Sequence, residues 1–106
     1  MTTAVNEKTS AYLTVAFLDK AGVAAIPASV TYRIDCLTTG TAILADTSLT
    51  PASSIEIAIT PAQNAILSDG NASETKRITV KASYGVSDGV NAQYDYTVTN
   101  LSPGLT

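Results

Sequence analysis

The chain contains no histidine and no tryptophan, and Cys36 is its only cysteine. Zinc sites that need several Cys and His ligands are therefore excluded, as are Ser-His-Asp and Cys-His nucleophiles. A single cysteine also excludes an intrachain disulfide. If this chain were an enzyme, its chemistry would have to rest on carboxylates.

Charge is scarce as well: charged residues make up 14 % of the chain, and the net charge is -3. Only Lys76 and Arg77 place two basic residues side by side, so the sequence offers no footprint for nucleic acid. No apolar run reaches the roughly 18 residues of a membrane span, and residues 1–10 lack the apolar core of a secretion signal. We expect a protein made in the cytoplasm, with no nucleic-acid partner, no membrane contact and no cofactor.

The clearest pattern present is the alternation of apolar and polar residues from Val30 to Cys36. Successive side chains of a strand point to opposite faces, so Val30, Tyr32, Ile34 and Cys36 should enter a core while the polar residues between them meet water. The pattern predicts a central strand, C. Burial on this strand should also make the Cys36 thiol unreactive.

Six further segments have strand features and are bounded by turn residues. They are predicted as strand A at 2–8, B at 12–18, C' at 41–46, E at 55–59, F at 74–84 and G at 92–100. We assign A, B and E to one sheet and C', C, F and G to the other. With Thr39 and Gly40 as the C–C' turn, Cys36 would lie opposite Ile43.

The F–G connection should not be a two-residue turn centred on Asp88 and Gly89. Such a turn would place Val80 opposite Thr97 and set an apolar face against a polar one. An odd-numbered loop or a bulge is therefore predicted.

Between E and F the sequence has the start signals of a helix: Thr60 as N-cap, Pro61 at the first helical position and Gln63 completing a capping box. One helical turn is predicted, with Ile66 and Leu67 closing the end of the core. The fold class that follows is all-β, an antiparallel sandwich of immunoglobulin type with about seven strands and one short helical turn. The domain should span residues 11–101, between an N-terminal arm or edge strand at 1–10 and a tail at 102–106.

Two sets of carboxylates could in principle form a calcium site or a catalytic pair. Asp46, Asp69 and Asp88 lie in predicted loops or turns, but their spacing matches no calcium loop and suits ordinary turns. Glu56 and Asp95 could form a glycosidase pair in principle, yet nothing in the sequence places them in one cleft. No catalytic, cofactor-binding or metal-binding residue is predicted.

The five tyrosines could form an aromatic platform for a ligand, but four of them share the inward parity of their strands. Tyr32, Tyr84, Tyr94 and Tyr96 are therefore predicted in the core, and Tyr12 on the surface. The glycosylation patterns that begin at Asn71 and Asn100 are short enough to arise by chance.

In chain order, the stretches at 12–15, 30–35, 60–66, 77–82 and 96–101 resemble small phage and prophage proteins with an immunoglobulin-like or fibronectin type III-like fold. The resemblance covers residues 11–101. It implies a virion-associated protein of the capsid, neck or tail of a tailed phage, and it carries over no catalytic residues.

The leading hypothesis is thus a non-enzymatic structural or accessory virion protein that contacts phage capsid or tail proteins, with self-association in the particle as a further option. Short loops rich in Ala, Ser, Thr and Gly favour this role over an adhesion module that binds host glycan or surface protein. A hydrolase that uses Asp or Glu is the remaining alternative. Attachment is expected through the edge strands A, C' and G or through the arm at 2–8.

Overall fold

The computed structural model describes residues 3–19, 21–68, 70–84 and 89–101, and this part of the chain is all-β. Within these ranges no helix is long and apolar enough to cross a membrane. The strands are β1 (Thr3–Asn6), β2 (Ala11–Ala16), β3 (Ser29–Cys36), β4 (Thr41–Leu49), β5 (Ser54–Ile59), β6 (Ser73–Ser83) and β7 (Gly89–Thr99).

The strands form two sheets, one with the order β1-β7-β6-β3-β4 and one made of β2 and β5. The predicted grouping of C', C, F and G in one sheet is confirmed, as is the placement of B and E in the other. The placement of strand A was wrong, because β1 runs parallel to β7 in the larger sheet. There Val5 lies opposite the buried Val98 and packs against the core, while Ala4 is exposed.

β3 is an interior strand, with β4 on one side and β6 on the other, but the central position that was predicted for it belongs to β6. Its predicted inward face is confirmed: Val30, Ile34 and Cys36 are at most 2 % exposed, and Tyr32 is half-buried against the core. β3 therefore has an antiparallel neighbour on each side and one face in the core.

The β3–β4 hairpin differs from the prediction. Cys36 lies opposite Thr41, not Ile43, so four residues, 37–40, make the connection. Gly40 ends this loop with φ at +70°, a left-handed conformation that glycine adopts without strain. β4 also continues to Leu49 through residues predicted as loop, because two register shifts opposite residues 32–35 absorb the extra residues.

The β6–β7 hairpin confirms the prediction against a two-residue turn. Ser83 lies opposite Gly89 and Val80 opposite Ala92, so an odd number of residues, 84–88, separates the strands. Residues 85–88 lie outside the described part of the chain. β7 begins at Gly89, three residues earlier than expected, and Gly89 and Val90 belong to the strand and not to the turn.

The core lies between the two sheets. β2 and β5 contribute Val15, Ile57 and Ile59, which pack with residues of the larger sheet such as Ile78 and Val80. The prediction that four tyrosines point towards the core and that Tyr12 lies on the surface is confirmed. Tyr96 is buried, Tyr32, Tyr84 and Tyr94 pack against the core in part, and Tyr12 is 66 % exposed.

Candidate functional site

β6 begins with two buried charged residues that the sequence analysis missed. Glu74 is 1 % exposed and Lys76 is not exposed at all, and Lys76 Nζ lies 3.1 Å from Glu74 Oε1. Both residues share the inward parity of Ile78. Extending the alternation of strand F towards its start would have placed both side chains inside, but their charge argued against it.

The Glu74 carboxylate accepts hydrogen bonds from several nitrogen donors. Leu67 N–H and Ser68 N–H lie at 2.8 and 2.9 Å, while Asn71 Nδ2 and Lys76 Nζ each lie at 3.1 Å. Burial raises the pKa of Glu74, but the hydrogen bonds from Leu67, Ser68, Lys76 and Asn71 outweigh it and lower the pKa to about 2. Glu74 is thus an ionised group that organises the chain around it.

Lys76 and Glu74 together hold the connection between β5 and β6. Lys76 Nζ donates to Ala65 O at 3.1 Å, beside the Leu67 and Ser68 amides that bind Glu74. Backbone groups that would be costly to leave unpaired at this end of the core therefore find charged partners.

The start of this connection forms the predicted capping pair but no helix. Thr60 N–H donates to Gln63 Oε1 at 3.0 Å, and Gln63 N–H donates to Thr60 Oγ1 at 3.2 Å. Asn64 N–H reaches Thr60 O, which closes one turn, and the chain then leaves the helical path. Glu74 and Lys76 bind the following backbone groups, which a longer helix would have used. Ile66 packs against the core as predicted, whereas Leu67 is 45 % exposed, contrary to prediction.

Asn64 joins three distant segments. It is fully buried, and its Oδ1 accepts a hydrogen bond from Tyr96 Oη at 2.6 Å while its Nδ2 donates to Thr9 O at 2.7 Å. Burial raises the pKa of Tyr96 to about 12, with a smaller contribution from Cys36. Cys36 Sγ itself lies 3.8 Å from Glu74 Oε1.

We call Cys36, Asn64, Glu74, Lys76 and Tyr96 the buried polar cluster. Its side chains bond to one another and to the chain around them, at the end of the sandwich where β3 and β7 finish and β6 starts. These bonds engage its polar groups within the protein. The cluster therefore fixes the connection between β5 and β6 to the larger sheet and to Thr9 in the β1–β2 loop.

The outer face of the larger sheet carries two bidentate ion pairs. Arg77 binds Asp95 at 2.8 and 3.0 Å, and Arg33 binds Asp35 with both contacts at 2.9 Å. Asp35, Arg77 and Asp95 lie in register across β3, β6 and β7. The hydrogen bond from Arg77 lowers the pKa of Asp95. These carboxylates are held by arginines on an open sheet face.

The structure does not bring the predicted carboxylate sites together. Glu56 is exposed on the outer face of the smaller sheet and Asp95 lies on the outer face of the larger one, so the core separates them. Asp46 is exposed on β4, 3.9 Å from Arg33, while Asp69 and Asp88 lie outside the described residues. Among the described residues, no three His, Cys, Asp or Glu side chains are grouped so as to hold a metal.

An open groove of about 490 Å³ lies between the two sheets, beside β2. Val5 of β1, Ala11 and Leu13 of β2, and Tyr94 and Tyr96 of β7 are among its lining residues. The groove exists because a sheet of five strands faces a sheet of only two. The sequence could not reveal it without the placement of β1 beside β7.

The strand edges also differ from expectation. β1 and β4 are edges of the larger sheet, as expected for A and C'. Strand G was expected to be an edge, and this is correct only for residues 89–95 of β7, because β1 covers β7 from Tyr96 to Thr99. In the smaller sheet β2 and β5 have one strand neighbour each, so both are edges within the described part of the chain.

No protein-family model, no curated protein and no solved structure matches this chain.

Proposed function

We propose that this chain is a non-enzymatic structural or accessory protein of a tailed-phage virion, as a capsid decoration, neck or tail component. It acts through contacts with phage capsid or tail proteins. The observation that carries the proposal is the open edge of β2 beside a groove whose lining is mainly apolar and aromatic but also includes Gln93 and Asp95. Unpaired strand edges and partly apolar grooves are surfaces that proteins use to bind one another. The resemblance of residues 11–101 to phage immunoglobulin-like proteins supplies the setting.

The fold proposed with this function is an immunoglobulin-like or fibronectin type III-like sandwich. It is supported by the pairing of β2 with β5 and by the order β7-β6-β3-β4 in the facing sheet, which match strands B, E, G, F, C and C' of such domains. The reciprocal bonds between Thr60 and Gln63 support the short helical turn between strands E and F.

A structural role also fits the use of the acidic side chains. Arg77 holds Asp95, Arg33 holds Asp35, and backbone amides with Lys76 surround Glu74. A hydrolase needs an acid and a base in one concave site. Of these carboxylates, Asp95 joins β7 to β6, Asp35 pairs with an arginine of its own strand, and Glu74 fixes a connection.

The test is mass spectrometry of purified particles of the encoding phage, with a pull-down of the chain against the major capsid and tail proteins of that phage. We expect the chain in the particle and a stable complex with at least one of these proteins. Its absence from particles, together with specific binding to host polysaccharide, would favour the adhesion module. Turnover of the polysaccharide would favour the hydrolase.

A further inference from the structure

We infer that the free edge of β2 receives an extended segment of a partner protein, which adds as a third strand to the smaller sheet and fills the groove beside it. This inference rests on the proposed function and names the surface and the kind of partner.

Alternate residues of β2 have backbone groups that β5 does not pair. Just beyond β2, Phe17 N–H donates to Ser53 O at 2.8 Å, in the same register as the strands. Hydrogen-bonded positions of an antiparallel pair alternate with positions whose N–H and C=O point away from the partner. Counted back from Phe17, the positions that point away from β5 are Tyr12, Thr14 and Ala16. They form a row of donors and acceptors along an edge with no described strand neighbour.

β2 lacks the features that protect the other edges. Proteins guard strand edges with charge, bulges, proline or short length. β4 carries Asp46 and two register shifts, β5 carries Glu56, and β1 has four residues. The part of β7 that β1 leaves uncovered, residues 89–95, carries Asp95. β2 has six residues, no charge and no proline, and its pairing with β5 is regular. It is the edge best suited to pair with another strand.

The groove provides what the side chains of an added strand need. Ala11 and Leu13 line it from β2, while Val5 and Tyr94 line it from the larger sheet. Every second side chain of a strand placed beside Ala11–Leu13 would point into this space, where apolar and aromatic side chains predominate and Gln93 and Asp95 are polar members. The side chains between them would lie on the outer surface, beside the exposed Tyr12. Backbone bonds would supply affinity and the groove would select the side chains.

The same geometry decides the occupant. The larger sheet extends past β7 to β1, and Val5 of β1 lines the groove, so the floor continues beyond the edge of β2. A second folded copy that offered its own β2 would bring its own β1 and β7 into that space. A single extended segment has no second layer and avoids this clash. The partner is therefore an extended segment with apolar residues at alternate positions.

The test uses the full chain labelled with ¹⁵N and a panel of capped nine-residue peptides in which Val or Leu alternates with Thr or Lys. We expect saturable binding, shifts of the Tyr12, Thr14 and Ala16 amide signals, and at least tenfold slower hydrogen exchange of those amides. Peptides with N-methyl groups on the amides that face β2 should bind at least tenfold more weakly. The inference is overturned if no peptide of the panel binds, if N-methylation has no effect, or if the shifts map to β1 or β4.

Two proline variants provide a matched pair. Thr14→Pro removes a donor at the free edge of β2, and Ala58→Pro, opposite Tyr12, removes a donor at the free edge of β5. We expect at least a tenfold loss of peptide binding for T14P and none for A58P, with folding of both checked by circular dichroism. If T14P does not fold, the N-methylated peptides on the unmodified chain decide the result.

Particle incorporation separates the two proposals. If the unmodified chain is absent from particles, the proposed function fails, while the peptide experiment still decides the inference. If the chain is present and a folded T14P enters particles as well as A58P does, the proposed function stands and the β2 edge is not its contact.

Discussion

Lys76 and Glu74 form an ion pair inside the protein, with Nζ of Lys76 3.1 Å from Oε1 of Glu74 and both side chains closed to solvent. The two residues lie on the same face of β6, two positions apart. Removing such charges from water is costly, and only additional hydrogen bonds make the arrangement tenable. Here the backbone of residues 65–68 supplies them, so the pair and the connection depend on each other.

Lys76→Met should destabilise the protein by about 3 to 5 kcal/mol, because it leaves the Glu74 charge buried without its cationic partner. Lys81→Met is the matched control, since Lys81 lies on the exposed face of the same strand. Its effect should stay within about 0.5 kcal/mol. Urea unfolding of both variants measures the difference, and equal losses would contradict the structural role of the pair.

Stability should also depend on pH at both extremes. The pKa of Glu74 falls from 4.5 to about 2 on folding, so its contribution is present above pH 4.5 and is lost as the pH falls towards 2. The pKa of Tyr96 rises from 10 to about 12, so its contribution is present below pH 10 and is lost as the pH rises towards 12. Thermal unfolding across pH 2–12 tests this. Glu74→Gln should flatten the acid limb without altering the alkaline one.

The strands that the sequence predicts correctly are those whose pattern lies within a few consecutive residues. Alternation predicted strands B, C, E, F and G because one buried face repeats every two residues, and Ile55, Ile57 and Ile59 illustrate this. The sheet to which β1 belongs could not be predicted from neighbouring residues. This short strand has one inward apolar residue, Val5, which lies opposite Val98, a residue far away in the sequence.

The buried polar cluster was missed because burial of Glu74 and Lys76 is tenable only with partners supplied by residues 65–71. No sequence spacing predicts that these backbone and side-chain groups will lie beside Glu74 and Lys76. The groove was missed for a similar reason, since it arises from unequal strand numbers in the two sheets. The capping pair of Thr60 and Gln63 was readable because its atoms lie three residues apart.

Ile34→Ala should destabilise the protein by roughly 2 to 5 kcal/mol, the range for truncating a large buried aliphatic side chain. Ile34 is fully buried at the centre of β3. Arg33→Ala should cost far less, because the Arg33 side chain is 36 % exposed and its ion pairs lie on the solvated face. Similar losses in chemical denaturation would mean that the two faces of β3 have been assigned the wrong way round.

Cys36 should be unreactive in the native protein, because it is 1 % exposed and lies on the inward face of β3. A thiol reagent added without denaturant should modify it only at the rate at which the protein opens, whereas denaturant should make the reaction complete. Fast modification of the folded chain would show that this end of the sandwich is accessible.

Tyr96→Phe tests whether the buried polar cluster stabilises the fold through its hydrogen bonds. The hydroxyl of Tyr96 donates to Asn64 Oδ1 at 2.6 Å, and Asn64 is fully buried. Removing the hydroxyl leaves that oxygen without its donor, which should cost about 1 to 3 kcal/mol. Tyr12→Phe removes the same atom from an exposed side chain and should change stability little. The free energies of unfolding from urea titrations compare the two, and a loss for Tyr12→Phe as large as for Tyr96→Phe would refute this assignment. The alkaline limb of the pH profile should also disappear in Tyr96→Phe, because that variant has no phenol to ionise at this position.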